Sequence, residues 1–433
     1  MEVKRTPVSF SSLPAELAEQ IVTSLEARED WVSASQVCRF WYRVLVPKIW
    51  RCIAPTQSDT IRQIVINVAQ RGFVLSPLMN FSSLFHLIRE IDLSRMTIYN
   101  AEPKLNFEKL IMHCRELESL NLTNCLWVTD TIVMQLINCT KLKRLNLHGC
   151  GQVTGDPMGL LLENLDHLEE LSLAHCTMMR SLHPAFVVCR APLRVLNLGG
   201  IFELSDMNDV LAAIFDKCHA TLESLVIDWN NTLNENPFRR LNTLPTMNLR
   251  ELSLIRCPRL SGGALARLAP HSSNLLKLSL NGSSGLTGAN IAGFVQSTPH
   301  LTSLDISFIE DITDDELEDI ATACPNLKEV KMLGIGTGIT DWTLLSLSAH
   351  TTGLRKLYMS MNMNITPQAV YSLVVACPNI TVLSFLGCGQ IMGSRIQQLA
   401  LELDPTLSPE NVHFEMTESV NWRTRMIETL AAG

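Results

Sequence analysis

The chain has 433 residues, 46% hydrophobic and 18% charged, a balance that excludes a disordered polypeptide and leaves room for more than one domain. Its formal net charge of −8 argues against a nucleic-acid partner, with only a local basic patch left open. No apolar run reaches the length of a membrane span, and the opening Met1-Glu-Val-Lys-Arg lacks the apolar core of a signal peptide; the expectation is a cytoplasmic or nuclear protein that does not touch a membrane.

Residues 1–9 read as a loose tail. Phe10-Ser-Ser-Leu13-Pro14-Ala-Glu16-Leu17 then opens a helix, with Pro14 suited to the first helical position and Glu16 to the first turn. Leu17, Ile21 and Leu25 continue it at four-residue steps. A second helix starts at Glu29-Asp30 and presents Ala34, Val37, Cys38 and Trp41 on one face, and a third runs toward Trp50. About forty residues are too few to hold a robust core alone, so this unit needs a partner or a neighbour. Residues 54–86 carry an amphipathic stretch, Ile61, Ile64, Val65 and Val68, broken by Gly72 and Pro77. They are expected to cap the first strand edge of a repeat array that begins near residue 87.

From about residue 87 to 403 one phrase recurs. Leu142-Lys-Arg-Leu145-Asn-Leu147-His-Gly-Cys150 has counterparts opening at Leu117, Leu168, Leu193, Leu222, Leu249, Leu275, Leu301, Leu327, Leu354 and Ile380, with a degraded copy at Ile88. The spacing is about 25–29 residues and the pattern is L-x-x-L-x-L-x-x-N/C, the signature of a leucine-rich repeat. The alternating half predicts a short strand. The other half predicts a helix, with Thr129, Thr154, Ser205, Ser261, Thr287, Thr313, Thr340 and Thr366 as N-cap candidates. One strand and one helix cannot bury their apolar faces alone. Stacking about twelve units predicts an α/β solenoid, a horseshoe with parallel strands on its concave face and helices outside. Asn230-Asn-Thr-Leu-Asn-Glu-Asn-Pro237 interrupts the pattern with a polar loop. Residues 404–433 are expected to form the C-terminal cap and tail.

The thirteen cysteines follow the repeat rather than a ligand or disulfide spacing. Cys125, Cys150, Cys176, Cys257 and Cys388 hold the ninth place, and Cys114, Cys139, Cys189, Cys218, Cys324 and Cys377 precede the next unit. They read as small buried packing residues, reduced and without metal. Gly334-Ile-Gly336-Thr-Gly338 lacks the ending of a phosphate loop and reads as a tight turn. No histidine, serine or carboxylate constellation points to catalysis, and no cofactor is read. His148 and His175 are expected to lie near one another on adjacent strands.

Two resemblances carry the functional reading. Leu13-Pro14-x-Glu16…Ile21…Leu25…Asp30…Ser33-Ala-Ser-x-Val37-Cys38-Arg39-x-Trp41…Trp50 resembles an F-box, the trihelical module that docks on the Skp-family adaptor of cullin–RING ubiquitin ligases. Trp31 and Gln36 depart from the aliphatic residues usual there. The cysteine-containing repeats resemble those of F-box/leucine-rich-repeat proteins. The resemblance implies a non-enzymatic substrate receptor of an SCF-type ligase, with adaptor-binding residues Leu13, Pro14, Ile21, Leu25, Val37, Cys38, Trp41 and Trp50 and, through the adaptor, cullin. Two alternatives stay open, a scaffold that works with its adaptor outside any ligase and an enzyme regulator of the GTPase-activator or inhibitor type. The repeats would hold a protein substrate on the concave face. There Trp229, Arg256, Phe308, Lys331, Tyr358 and Met361 are the residue types of binding hot spots.

Overall fold

The computed structural model describes residues 28–37, 39–54, 85–95, 103–336, 338–416 and 421–431. Among them one sheet of 14 strands runs in strict chain order. The strands are β1 (Cys52–Ile53), β2 (Glu90–Asp92), β3 (Ser119–Asn121), β4 (Arg144–Asn146), β5 (Glu170–Ser172), β6 (Val195–Asn197), β7 (Ser224–Val226), β8 (Glu251–Ser253), β9 (Lys277–Ser279), β10 (Ser303–Asp305), β11 (Glu329–Met332), β12 (Lys356–Ser360), β13 (Val382–Leu386) and β14 (Asn411–Glu415). Neighbours pair in parallel with the central leucines in register, Leu252 on Leu278 and Leu278 on Leu304, for example. The exception is β14, which runs antiparallel to β13.

The helices are α1 (Arg28–Ser35), α2 (Arg39–Arg51), α3 (Pro103–Ile111), α4 (Asp130–Gln135), α5 (Asp156–Asn164), α6 (His183–Val187), α7 (Met207–Cys218), α8 (Gly262–Leu268), α9 (Gly288–Val295), α10 (Asp314–Ala323), α11 (Asp341–His350), α12 (Pro367–Ala376), α13 (Arg395–Leu403) and α14 (Trp422–Ala431). From α4 to α12 the helix of each repeat, or the 3₁₀ helix Pro237–Thr243 after β7, stacks on the next, and α14 packs on both α12 and α13, so the repeats form a strand layer and a helix layer over one core running from Ile53 to Met426. The unit after β7 has a 3₁₀ helix, Pro237–Thr243, in place of an α-helix. The polar loop read there is organised by buried Asn230, whose Oδ1 accepts from the backbone N–H groups of Thr232 and Leu233.

The recurrent places of the repeat each have a bonding reason. A thiol at the ninth place donates to the carbonyl of the sixth place one repeat earlier, as in Cys150 to Leu122 (3.2 Å), Cys176 to Leu147 (3.1 Å) and Cys257 to Ile227 (3.1 Å). Ser283 does the same to Leu254 at 2.6 Å. Twelve cysteines among the described residues are free thiols, eleven buried and Cys52 partly so. The sequence predicts packing for them, and the structure adds the hydrogen bond.

Helix starts follow the threonine pattern with two corrections. Thr129, Ser261, Thr287, Thr313, Thr340 and Thr366 are N-caps, Thr287 in a capping box with Asn290. Thr154 and Ser205 are not, because the helix begins one residue later, after Gly155 and Asp206. Thr154 instead donates to the Asp130 carboxylate, at 2.8 Å. Thr340 and Thr366 make the same bond to Asp314 and Asp341, each at 2.6 Å. A first-turn carboxylate thus ties one helix to the start of the next while complementing its own helix dipole.

The first repeat strand is paired, and the last is covered. Helix α2 passes into β1 without a linker, and β1 pairs with β2. The edge that residues 54–86 were expected to cover is therefore paired with the end of the helical module, and residues 55–84 lie outside the described residues. At the other end β14 and α14 close the array, with Trp422 buried beside Phe414.

Candidate functional site

Only part of the helical module lies among the described residues. Leu13, Pro14, Ile21, Leu25 and Cys38 fall outside them. Val37 stands in the turn after α1, 69% exposed. Trp41 is buried with Leu45, and Trp31, Phe40, Val44 and Ile49 pack on that pair. The Trp31 departure is thus accommodated by packing on Trp41, and Gln36 is exposed. Trp50 packs against the solenoid core rather than that small cluster. Trp41 is thus a core residue of the module, and Trp50 packs at its junction with the repeats.

The concave face is built from the third and fifth places, with the eighth place on its rim. The eighth place is left-handed in eleven successive repeats. Its residues are Asn124, Gly149, His175, Gly200, Trp229, Arg256, Gly282, Phe308, Gly334, Met361 and Gly387, with φ between 52° and 71°. The chain must turn there at the end of each strand, and an L-residue at such φ is costly, so glycine is the default. Where a large side chain stands there, it leans over the next repeat. A Cβ on Gly200 would lie 2.4 Å from the His175 ring, one on Gly334 2.6 Å from Phe308, and one on Gly282 3.1 Å from Arg256. Large residue and glycine therefore alternate along the rim, except where Trp229 meets Arg256.

That exception makes a continuous row. His148 and His175 meet edge-on at 5.0 Å, His175 and Phe202 at 6.5 Å, and Phe202 and Trp229 at 6.4 Å. The Arg256 guanidinium lies 4.2 Å from the Trp229 ring centre. Burial, and then the neighbouring His175, hold His148 below the usual imidazole range. Burial pushes the Asp228 carboxyl up, an effect opposed by hydrogen bonds from the Ser253 hydroxyl (2.7 Å) and the Ile255 N–H (2.9 Å). Phe202 escapes the sequence reading because it sits at the tenth place, outside the strand pattern.

The other expected residues form a second group. Lys331 and Tyr358 are register neighbours on β11 and β12, with Nζ 5.7 Å from the ring centre. Lys331 also pairs with Glu329 at 3.2 Å. Phe308 and Met361 stand on the rim, 47% and 69% exposed. The six residues named from the sequence thus divide into a Trp229–Arg256 pair and a cluster two repeats further on. A Cβ on Gly336 would lie 2.8 Å from the Glu310 carbonyl and one on Gly338 2.8 Å from that of Ile312, so close backbone approach accounts for both.

Among the described residues, no group of three or more His, Cys, Asp or Glu side chains is placed to hold a metal, and no helix is long and apolar enough to cross a membrane.

Comparison with known proteins agrees with this architecture. A family model described as SKP2 LRR domain matches residues 62–278, and one described as F-box-like matches residues 10–56. DNA repair protein rhp7 of Schizosaccharomyces pombe is 27% identical over 229 residues, 51% of this chain and 36% of that protein. The putative F-box/LRR-repeat protein 9 of Arabidopsis thaliana is 25% identical over 122 residues, 28% of this chain and 49% of that one. The matches thus span about a third and a half of these relatives' own lengths. The crystal structure of the Rad7 and Elc1 complex in yeast contains a chain of the same fold, with a TM-score of 0.50 and 15% identity over 84% of this chain and 96% of that one.

Proposed function

The chain belongs to the F-box/leucine-rich-repeat family, and from that premise we propose that it is the substrate-recognition subunit of an SCF-type cullin–RING ubiquitin ligase. Its F-box binds a Skp-family adaptor and, through it, cullin; its repeats hold a protein substrate. The chain itself does no chemistry. It raises the effective concentration of substrate lysines near the charged conjugating enzyme. The observation that carries this reading is the rigid mounting of the helical module. Helix α2 becomes β1 with no intervening residue, and Trp50 packs into the solenoid core. Effective concentration depends on a connection that holds two sites at a fixed span, and a direct helix-to-strand junction with Trp50 packed on the repeats supports such a connection.

Leu13 and Pro14 are the proposed adaptor contacts, with Ile21, Leu25, Val37 and Cys38 beside them and Trp41 and Trp50 acting through packing. We place the chain in the cytoplasm or nucleus, and the naming of rhp7 as a DNA repair protein favours the nucleus. A second reading comes from the structural neighbour crystallised with Elc1, in which the module takes an Elc1-like adaptor instead. Affinity purification of the full chain from cells, with adaptors identified by mass spectrometry, separates the two. Skp-family adaptor and cullin should be recovered with the natural chain and lost with Leu13→Ala plus Pro14→Ala, while the repeats keep their circular dichroism. Recovery of neither adaptor with the natural chain would sink the ligase reading and favour a scaffold or enzyme regulator.

A further inference from the structure

The residue just before each strand forms a row along the N-terminal edge of the sheet, and in the first half of the solenoid that row alternates in sign. It reads Arg89, Glu118, Lys143, Glu169, Arg194, Glu223, Arg250. The charges neutralise one another across repeats: Arg89 to Glu118 at 3.5 Å, Lys143 to Glu118 at 3.4 Å, Arg194 to Glu169 at 3.4 Å and to Glu223 at 2.8 Å, and Arg250 to Glu223 at 3.9 Å. Each exposed pair contributes little to stability. As a row they leave the first half of this edge self-satisfied.

The alternation then stops. The next residues are Leu276 and Thr302, followed by two cations in succession, Lys328 and Arg355. Their backbones are hydrogen-bonded, Arg355 N–H to the Lys328 carbonyl at 2.8 Å, so the two side chains leave adjacent strands spaced about 4.8 Å apart. Lys356 stands beside them as the first residue of β12, and all three are exposed. None has an ion pair among the described residues. Among the described residues, Glu329 stands in register with Lys356 but is paired with Lys331 at 3.2 Å, and Glu415 on β14 stands opposite Val382, beside His413 at 3.8 Å. Like charges side by side on a sheet are unfavourable, and among the described residues no ion pair offsets them. Further along the same strands lie Tyr358 and, on the rim, Met361. From the cationic edge to the rim is about six residues, roughly 15–20 Å of extended chain.

We propose that this part of the concave face, from β11 to β13, binds an acidic peptide segment of the substrate. Carboxylates at one end pair with Lys328, Arg355 and Lys356, and an apolar side chain about five or six residues away sits on Tyr358 and Met361. The proposal deepens the receptor reading, on which its biological meaning rests, and it commits to a protein ligand. In a chain of net charge −8, these three neighbouring cations have no ion pair among the described residues, on an edge whose first half pairs its own charges, and an acidic ligand would supply the counter-charge.

The test is fluorescence anisotropy with the full chain and a labelled decapeptide carrying glutamates at one end and leucines at the other. Saturable binding should weaken about tenfold or more as salt rises from 50 to 500 mM, as screening requires. It should fall at least about tenfold in Lys328→Glu/Arg355→Glu/Lys356→Glu, and also in the milder Lys328→Gln/Arg355→Gln/Lys356→Gln, which guards against a folding defect. A peptide with glutamine for glutamate should bind at least tenfold more weakly. Equal affinity for the glutamine peptide, or no saturable binding at 1 mM, overturns the proposal. Tighter binding of an oligothymidylate of equal charge, lost in the same variants, overturns it in favour of nucleic acid. Adaptor recovery is measured separately: peptide binding without adaptor keeps this site and removes the receptor reading, and adaptor without peptide binding does the reverse.

Discussion

Three glycines differ in a way that isolates what the rim demands of the backbone. Gly293 lies inside α9 with nothing within 4 Å of a would-be Cβ, so Gly293→Ala should stabilise by about 0.5–1 kcal/mol through helix propensity alone. Gly393 also has open space, but its φ is +76°, and Gly393→Ala should cost about 1–2 kcal/mol in left-handed strain. Gly334 combines φ of +58° with a Phe308 ring carbon 2.6 Å from the new Cβ. The same strain applies, plus displacement of the ring. Overpacking costs about 1–3 kcal/mol in closed cores, and the low end applies here because Phe308 is 47% exposed and can swing outward. Gly334→Ala should therefore cost about 2–3 kcal/mol. In a Phe308→Ala background the surplus should vanish, leaving about 1–2 kcal/mol and a coupling of about 1 kcal/mol between the two sites. Urea unfolding followed by circular dichroism measures all five variants against the natural chain. Equal losses for Gly334→Ala and Gly393→Ala, with no relief from Phe308→Ala, would refute the idea that the rim side chain rests on the next repeat's glycine.

Leu278→Ala should cost about 2–5 kcal/mol in the same assay, since Leu278 is 2% exposed between Leu252 and Leu304; a loss under about 0.5 kcal/mol, the range of surface substitutions, would mean that the strand faces are reversed. Burial pushes the Cys125 and Cys139 thiols up from 9.0 to about 12, so the folded chain keeps protons that the unfolded chain releases above pH 9. This contribution to stability is whole below about pH 9 and is lost as pH rises from there toward 12; a urea midpoint that does not fall across that window, or rapid labelling of these thiols by iodoacetamide at pH 8 in the folded protein, contradicts it.

The repeat was legible because each of its features is local and recurs. Leu142, Leu145 and Leu147 alternate as a half-buried strand must, and a chain that repeats this at steady spacing has one economical way to bury all of its leucines. The F-box pattern was legible for the same reason, as a fixed set of intervals around Leu13-Pro14 and Trp41. What the sequence could not supply was where side chains from different repeats meet. Thr154 reads as an N-cap, but its hydroxyl goes to Asp130 in the unit before. Trp50 reads as part of the helical module, but it packs into the solenoid. The ninth-place cysteines read as filler, but their thiols bond a carbonyl about 28 residues back. Phe202 joins His175 and Trp229 only because stacking aligns a tenth place with two eighth places. The cations Lys328 and Arg355 stand out only once Arg89 to Arg250 are seen to neutralise one another across the sheet. Periodicity fixes which face a residue takes within its own unit. The contact between units depends on the rise and twist from one repeat to the next, which is set by the packing of the whole core, and that is where the tertiary structure decided.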